Sequence, residues 1–263
     1  MLVVRKLAGL ASIQDRGRVG LASHGVPRGG ALVRALASRA NAAVGNGDDA
    51  ACVEILGRLV LAAERDVVVA TERDDARTLR AGDELVVEPD PRSRARYVAI
   101  AGGVDAPLVL GSRAPLALCG IDHALRVGDR IAALAPAPAV PAPRAASPFD
   151  AKPDVPIAIV AGPDDPHLAR ALASAPWRIA TASDRTGTRL EGRAMDEAGG
   201  TGRRPSSPMV PGAIQLPSGG APIVIGPDGP TTGGYPIVAV VADADLDRFC
   251  ALPLGAPVSF VVA

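Results

Sequence analysis

The sequence predicts a mainly β protein with a few helices, organised as two β-rich halves. Short apolar runs rich in valine and isoleucine recur along the chain, and Gly-Asp pairs beginning at Gly82 and Gly128 suit turns that precede strands. Helical patterns are few, with one or two in each half against six or more strands. This ratio is typical of β-barrels and not of alternating βαβ units. A Pro/Ala-rich segment separates the halves.

The predicted strands follow the apolar runs. In chain order they cover residues 67–70, 84–88, 97–101, 157–161, 223–225 and 238–241.

Three helices are predicted. The first covers residues 30–44, which carry an apolar stripe and end at Gly45, a residue that suits a helix C-cap. The second covers residues 165–174, with Asp165 as a cap and Pro166 in the first turn. The third covers residues 243–252.

Residues 135–156 consist largely of proline and alanine, a composition that favours extended conformations and builds no core. We interpret this segment as a linker between an N-terminal half, residues 1–134, and a C-terminal half, residues 157–263.

The two halves share a spacing of residues. Arg18 and Arg185 each lie two residues before one glycine and seven residues before another, and Asp15 or Asp184 lies just upstream. This spacing favours duplication of one β-rich unit, with coincidence in a glycine-rich chain as the alternative.

Composition excludes several classes of function. The 28 basic and 28 acidic residues balance, so no charged surface points to nucleic acid or to an anionic membrane. Aromatic residues make up only 2% of the chain, too few for stacking on single strands. The sequence shows neither a signal peptide nor a membrane-spanning apolar stretch.

The cysteines and histidines give no metal or disulfide signal. Three cysteines and three histidines are scattered along the chain, without the spacing of a metal site. We expect reduced, mostly buried thiols in a cytoplasmic protein. No glycine-rich phosphate loop of the Gly-x-x-x-x-Gly-Lys-Ser/Thr kind is present, so ATP binding by this chain alone is not predicted.

The segment with the strongest chemical signal is residues 228–236, Asp-Gly-Pro-Thr-Thr-Gly-Gly-Tyr-Pro, between two predicted strands. Glycines let a ligand approach the main chain closely, and Pro230 and Pro236 stiffen the loop. Such a loop is suited to presenting hydroxyls, a carboxylate and backbone N–H groups to a ligand. An ordinary connection between strands is the alternative.

Taken in order, the motifs resemble the family known as allophanate hydrolase subunit 2 or as the C subunit of 5-oxoprolinase, which is related to biotin-dependent carboxyltransferases. The residues that carry the resemblance are 13–20, 25–31, 39–41, 44–46, Glu54, 101–105, 110–113, 183–187, 189–192, 211–217 and 231–236. The resemblance covers most of the chain and implies two cyclophilin-like β-barrels arranged as a pseudo-repeat.

Several positions depart from the family pattern. Val33 stands where a typical member has Asp, Ala-Thr-Glu at 70–72 where it has Thr-Gly-Ala, Ala-Pro at 114–115 where it has Ser-Thr, and Asp-Gly-Pro at 228–230 where it has Asp-Arg-Gln. Several of the lost groups are charged or hydroxylic, the types that bind ligands. The second half is therefore expected to keep more of the chemistry.

The resemblance implies membership of a heteromeric complex with the B subunit of the same enzyme family, and possibly with an A-subunit hydrolase. In this complex ATP hydrolysis drives the opening of 5-oxoproline to glutamate. ATP would be a co-substrate whose site is shared with the partner. Related modules in urea carboxylases transfer a carboxyl group from biotin to urea. Both chemistries develop negative charge on an oxygen and therefore need fixed donors and cations.

Candidate site residues follow from these needs. The candidates for catalysis are Gln215, Asp228 and Arg185. The candidates for substrate binding are Arg18, Gln14, Asp15, Thr231, Thr232, Gly233, Gly234 and Tyr235. The arginines suit clamps on carboxylate or phosphate, the Gly pair and hydroxyls suit an anion-binding concavity, and Gln215 can both donate and accept.

Structural alternatives stand beside these roles. Arg18 and Arg185 could instead bind turn carbonyls, Asp15 could form a turn, and Tyr235 could be a packing residue. Three functions remain open: a 5-oxoprolinase-type enzyme component, a non-catalytic module that antagonises a histidine-kinase inhibitor, and a carboxyltransferase component that acts on urea and carboxybiotin.

Overall fold

A computed structural model of the chain describes residues 1–116, 120–121, 124–134, 149, 154–164, 166–195 and 205–263. The chain divides into two compact units: residues 1–19 with 29–149, and residues 20–28 with 150–263. The expected linker at 135–156 lies mostly outside the described residues, as do Asp165, Cys119 and His123.

The helices and strands are as follows. The helices are α1 (Arg34–Ala43), α2 (Pro166–Ala173) and α3 (Asp243–Ala251), with a 3-10 turn at Ala22–His24. The strands of the first unit are β1 (Leu2–Gln14), β2 (Cys52–Ala63), β3 (Val67–Thr71), β4 (Arg77–Leu79), β5 (Glu84–Val87), β6 (Arg96–Ile100), β7 (Val104–Asp105) and β8 (Arg130–Ala133). Those of the second unit are β9 (Ile157–Ala161), β10 (Trp177–Ile179), β11 (Gly187–Glu191), β12 (Ser207–Pro208), β13 (Ala213–Gln215), β14 (Ile223–Ile225), β15 (Thr232–Gly233), β16 (Ile237–Val241), β17 (Pro257–Val258) and β18 (Phe260–Val262).

The first unit is built on an eight-stranded antiparallel sheet in the order β4-β3-β6-β2-β1-β8-β7, with β5 also paired to β2. One edge of β2 pairs with β6 near its start and with β5 near its end, so the sheet folds into a nearly closed barrel. Gly9 of β1 faces Gly57 of β2, and a Cβ on Gly9 would lie 2.2 Å from the Leu56 carbonyl oxygen. The strands can therefore approach this closely only with glycine there.

The two faces of this sheet differ in chemistry. One face carries an apolar core that includes Ile13, Val53 and Val98. The other face carries a row of cross-strand neighbours, Ser12 on β1, Glu54 on β2 and Tyr97 on β6, and each is buried. Helix α1 packs against β2, β3 and β6. The first unit therefore has an aliphatic core and a separate buried polar layer.

The second unit has its own eight-stranded sheet in the order β17-β10-β11-β14-β13-β16-β9-β18, antiparallel except for the β9–β18 pair. Its core includes Trp177, whose ring Nε1 donates to the Leu172 carbonyl at 2.8 Å. Phe249 of α3 packs on Phe260 of β18, with ring centroids 6.2 Å apart. Strands β12 and β15 form a separate two-stranded ladder in this unit.

The predicted fold class and most predicted elements are confirmed. The structure is mainly β with few helices, each of the six predicted strands is present, and the predicted helix at 30–44 is shorter, at Arg34–Ala43. The helix predicted from Asp165 begins at Pro166 among the described residues. Within the described part of the chain, no helix is long and apolar enough to cross a membrane.

Candidate functional site

The predicted ligand loop, residues 228–236, connects β14 to β16 in the second unit. It is partly structured: Thr232 and Gly233 form β15, which pairs with Pro208 and Ser207 of β12, and the Met209 N–H donates to the Thr231 carbonyl at 2.8 Å. Tyr235 is 45% exposed, so it is not a packing residue of the core. The loop is thus held at its centre while Thr232 and Tyr235 face solvent.

Gln215 lies beneath this loop at the end of β13. The side chain is only 7% exposed, and no described residue accepts a hydrogen bond from its Nε2. The amide lies against β15, because a Cβ on Gly233 would come within 2.4 Å of Nε2 and within 3.3 Å of the Met209 sulfur. A buried amide donor without an acceptor is costly, and a ligand oxygen would supply the missing acceptor.

Arg185 and Asp228 form an ion pair with two hydrogen bonds. Arg185 Nε donates to Asp228 Oδ2 at 2.7 Å and Nη2 donates to Oδ1 at 2.8 Å. The arginine side chain is 8% exposed and the aspartate 35% exposed. Asp228 therefore orients the guanidinium. The close packing extends to Gly229, where a Cβ would lie 2.4 Å from Ile225.

Asp15 in the first unit is the centre of a loop network. Its Oδ1 accepts from the Gly17 N–H at 2.8 Å and from the Ser112 hydroxyl at 2.6 Å, and its Oδ2 accepts from the Arg113 N–H at 2.6 Å. The residue is 9% exposed. These contacts give Asp15 the turn-forming role that the sequence left as its alternative.

Arg18 has a comparable structural role. Its Nε donates to the Val109 carbonyl at 3.2 Å, Nη1 to the Pro115 carbonyl at 3.2 Å and Nη2 to the Ala114 carbonyl at 2.7 Å. The residue is 2% exposed. Arg18 therefore binds turn carbonyls, the alternative to the expected substrate clamp, because these contacts occupy all three nitrogens of the guanidinium.

Gln14 lies near Asp15 at the end of β1 and is 1% exposed. Its Nε2 donates to the Ser12 hydroxyl at 2.8 Å, while no described residue donates to its Oε1. Each unit therefore contains a buried glutamine with one unsatisfied amide atom: an acceptor at Gln14 and a donor at Gln215.

Sequence reasoning missed the polar layer of the first unit as a set of contacts. Glu54 Oε2 accepts from the Tyr97 hydroxyl at 2.7 Å and from the Leu32 N–H at 2.7 Å, while the Val33 N–H donates to the Tyr97 hydroxyl at 2.8 Å. Glu72, one of the departures from the family pattern, accepts from Arg96 and from the Tyr97 N–H. The sequence signal for this layer was a charged residue within or directly after an apolar strand: Glu54 within β2 and Glu72 directly after β3.

Burial changes the ionisation of this layer. Burial, followed by the charge of Glu54, raises the pKa of Tyr97 well above its ordinary value. Burial, followed by the carboxylates of Glu54, Asp15 and Glu72, also raises the pKa of Cys52. Both groups therefore stay neutral at physiological pH. No cluster of three or more metal-binding side chains occurs among the described residues.

Two mainly β units with these motifs define a protein of the carboxyltransferase-domain class. The family model described as carboxyltransferase domain, subdomain A and B, matches residues 24–262. The chain therefore belongs to the carboxyltransferase-domain family.

Individual relatives agree with this family. The chain is 31% identical to the C subunit of 5-oxoprolinase from Escherichia coli (strain K12), over 99% of this chain and 91% of that protein. It is 27% identical to urea amidolyase of Lachancea kluyveri, over 95% of this chain and 16% of that protein.

Solved structures show the same fold inside longer chains. The structure of TTHA0988 superposes with a TM-score of 0.89 at 29% identity, covering 99% of this chain and 56% of that one. The K. lactis urea amidolyase superposes with a TM-score of 0.83 at 25% identity, covering 99% of this chain and 18% of that one. The chain thus spans just over half of TTHA0988 and less than a fifth of the amidolyase.

Proposed function

We propose that this chain is one component of an ATP-dependent complex that opens the cyclic amide 5-oxoproline to glutamate, together with a B-subunit partner. The near full-length similarity to the E. coli 5-oxoprolinase protein supports this proposal. The structural observation that carries it is Gln215, a buried amide with an unsatisfied donor beneath the Thr-Thr-Gly-Gly-Tyr loop. The cytoplasm remains the expected location.

The opening of 5-oxoproline needs a hydrogen-bond donor at the amide carbonyl oxygen. Water adds its oxygen to the amide carbonyl carbon, the C–N bond breaks, and the released nitrogen takes up a proton. Negative charge develops on the carbonyl oxygen during the addition, and a fixed N–H donor in a dry site stabilises it. Gln215 Nε2 is such a donor, and its burial in the second unit strengthens its interaction with a charged oxygen.

We propose that the guanidinium of the Arg185–Asp228 pair is the second group that recognises the substrate. Arg185 is held by Asp228 through Nε and Nη2, which fixes the plane of the guanidinium. A fixed guanidinium suits a carboxylate, and 5-oxoproline carries one. Thr231, Thr232 and Gly234 contribute hydroxyls and backbone groups near the loop surface. Asp15 and Arg18 are not assigned to substrate contacts, because they hold the loops of the first unit, whereas Gln14, with its unsatisfied Oε1, stays a candidate for substrate binding.

ATP is assigned to the complex and not to this chain. The sequence has no phosphate-binding glycine loop, so the nucleotide site is proposed to be shared with, or supplied by, the partner. An A-subunit hydrolase would complete the assembly. The chain's own contribution is then the recognition and polarisation of the amide.

Glutamate release from 5-oxoproline tests the proposal. The chain is co-expressed with the B-subunit and A-subunit proteins of the same genome, the complex is purified, and glutamate is measured with and without ATP. We expect ATP-dependent release that falls by about 100-fold in Gln215→Glu, which replaces the donor with an oxygen and keeps the shape. Ser218→Ala, at an exposed position three residues on, is the matched control.

A complex that assembles fully yet releases no glutamate would contradict the enzymatic proposal. The result would favour the non-catalytic binding module that antagonises a histidine-kinase inhibitor.

A second candidate is a carboxyltransferase step on urea. The family description and the similarity to urea amidolyase favour it. In this reaction the carboxyl group leaves a biotin nitrogen and bonds to a urea nitrogen, and the proton that the urea nitrogen loses passes to the biotin nitrogen. The step needs a biotin carrier on another chain. Urea-dependent loss of carboxyl from a carboxylated biotin carrier, with no glutamate from 5-oxoproline, would select this candidate.

A further inference from the structure

The surroundings of the Gln215 amide are apolar. Ile237, the cross-strand partner of Gln215 on β16, belongs to a small core cluster of the second unit. The other buried members of this cluster are Met209, Ala213 and Ile225. An oxygen that accepts a hydrogen bond from Gln215 Nε2 therefore lies beside hydrocarbon and sulfur, and whatever is bonded to that oxygen's carbon meets the same surface.

Met209 is the member of this cluster that lies next to the amide. A Cβ on Gly233 would lie 2.4 Å from Gln215 Nε2 and 3.3 Å from the Met209 sulfur, so both atoms face the same point on β15. The Met209 N–H donates to the Thr231 carbonyl at 2.8 Å, which ties the residue to the ligand loop. A thioether sulfur offers no donor and accepts hydrogen bonds only weakly. The neighbour of the proposed donor is therefore an apolar surface.

The short β12–β15 ladder covers these two side chains. It consists of the pairs Ser207–Gly233 and Pro208–Thr232, and proline has no N–H to add to it. Two paired strands are only marginally stable by themselves, so this cover can open to admit a small ligand. Once the ladder closes over the ligand, water is excluded from the site.

We propose that Met209 determines the substrate class of this site, by requiring hydrocarbon on the side of the substrate carbonyl that faces its thioether. This inference rests on the proposed function. In 5-oxoproline the carbonyl carbon is bonded to a ring methylene on one side and to the ring nitrogen on the other. The methylene packs on Met209 while the carbonyl oxygen accepts from Gln215 Nε2. A ligand with an N–H in place of that methylene would bury a donor without an acceptor, which costs affinity.

The same contact disfavours urea. Urea has an NH2 group on both sides of its carbonyl, so one of these groups would face the Met209 thioether whichever way the molecule is turned. A buried N–H without an acceptor is costly, whereas a buried methylene is favourable. The site therefore distinguishes a lactam from urea by the group beside the carbonyl and not by the oxygen that both present to Gln215.

The test compares 5-oxoproline with 2-oxoimidazolidine-4-carboxylate, a cyclic urea of the same shape in which an N–H replaces the methylene beside the carbonyl. ATP-dependent glutamate release by the complex with the A-subunit and B-subunit proteins gives the KM for 5-oxoproline. Inhibition of that release by the cyclic urea gives its inhibition constant. The quantity compared between variants is the ratio of this inhibition constant to the KM.

Met209→Gln keeps the length of the side chain and adds an amide oxygen that accepts the extra N–H of the cyclic urea. We expect the ratio to fall by at least about tenfold in this variant. Met209→Leu stays apolar and of similar volume, so its ratio should remain within about threefold of wild type. Met209→Ala is a second variant that buries no new polar group. It leaves room for a water beside the ligand, so the ratio should fall there too.

Met195→Gln is the matched control, since Met195 is another buried methionine of the second unit and its N–H donates to the Gly220 carbonyl and not to the ligand loop. We expect its ratio to stay within about twofold of wild type. Thermal unfolding of each variant, measured in parallel, identifies any that fails to fold.

Three outcomes would count against the inference. If wild type releases glutamate and the ratio is unchanged in Met209→Gln and Met209→Ala, the inference is wrong while the proposed function stands. An equal fall in Met209→Leu would also overturn it, because the shape of the side chain and not its polarity would then be responsible. If the assembled wild-type complex releases no glutamate, the inference and the proposed function both fall.

Discussion

Gln215 and Gly233 are in contact between β13 and β15, with the amide Nε2 of the first lying where a side chain on the second would begin. A Cβ on Gly233 would stand 2.4 Å from that nitrogen, well inside a van der Waals contact. The position of the proposed donor, Gln215 Nε2, therefore depends on the absence of a side chain at residue 233 in β15. The requirement at residue 233 is for space and not for a special backbone conformation, because its φ is not positive.

Gly233→Ala is expected to abolish most of the proposed activity while the complex still assembles. The added methyl group displaces the Gln215 amide, and a misplacement of about 1 Å can cost about 100-fold in rate. ATP-dependent glutamate release is the measurement. Gly47→Ala is the control, since a Cβ there meets nothing within 4 Å. Equal activity in both variants would show that the Gln215 position is irrelevant.

The Arg185–Asp228 pair is expected to stabilise the second unit. Asp228→Asn removes the negative charge beside a guanidinium that is only 8% exposed, so we expect the free energy of unfolding to fall by about 1 kcal/mol. Solvent screening at the aspartate, which is 35% exposed, keeps the loss this small. Denaturant unfolding measures it.

The Arg16–Asp49 pair is the matched control for this measurement. Its side chains are 59% and 62% exposed, and its N–O distance is the same 2.7 Å. Asp49→Asn should leave the free energy of unfolding nearly unchanged. Equal losses in the two variants would mean that burial does not decide the strength of these pairs.

Asp15 and Asp184 each lie just upstream of the arginine that the two halves share, but the structure predicts unequal effects on stability. Asp15 accepts three hydrogen bonds in a buried network, whereas Asp184 accepts from the Thr186 and Gly187 N–H groups in an exposed turn. Asp15→Ala should lower the free energy of unfolding by about 3 kcal/mol or more, and Asp184→Ala by about 1 kcal/mol or less. Unfolding in guanidinium chloride measures both, and a larger loss at Asp184 would contradict the assignment.

The sequence predicted local structure well and long-range contacts poorly. Apolar runs and caps identify elements through neighbouring residues, so α3 and the strand Ile223–Ile225 were predicted to within one residue. Strands β1 and β2 were missed because arginine, lysine and glycine interrupt their apolar pattern. The contacts of Arg18 join residues 91 to 97 positions apart, and no periodic pattern encodes such a separation. The candidate site divides in the same way: the loop and Gln215 follow from local chemistry, whereas the structural role of Arg18 depends on tertiary packing.

The raised pKa of Cys52 predicts a loss of stability in mildly alkaline solution. In the unfolded chain a cysteine ionises near pH 8.5, whereas burial and the nearby carboxylates keep the folded thiol protonated at higher pH. Above that pH the folded state binds more protons than the unfolded state, so the free energy of unfolding falls as pH rises, by up to about 1.4 kcal/mol per pH unit for this group. Below pH 8 both states hold the proton and the group contributes no slope. Tyr97 adds a second decline above about pH 10 for the same reason.

Denaturant unfolding between pH 7.5 and about 9.5, where Tyr97 does not yet contribute, should show the decline in wild type and a shallower one in Cys52→Ala. Parallel curves for the two proteins would show that the Cys52 thiol ionises as readily in the folded state as in the unfolded chain.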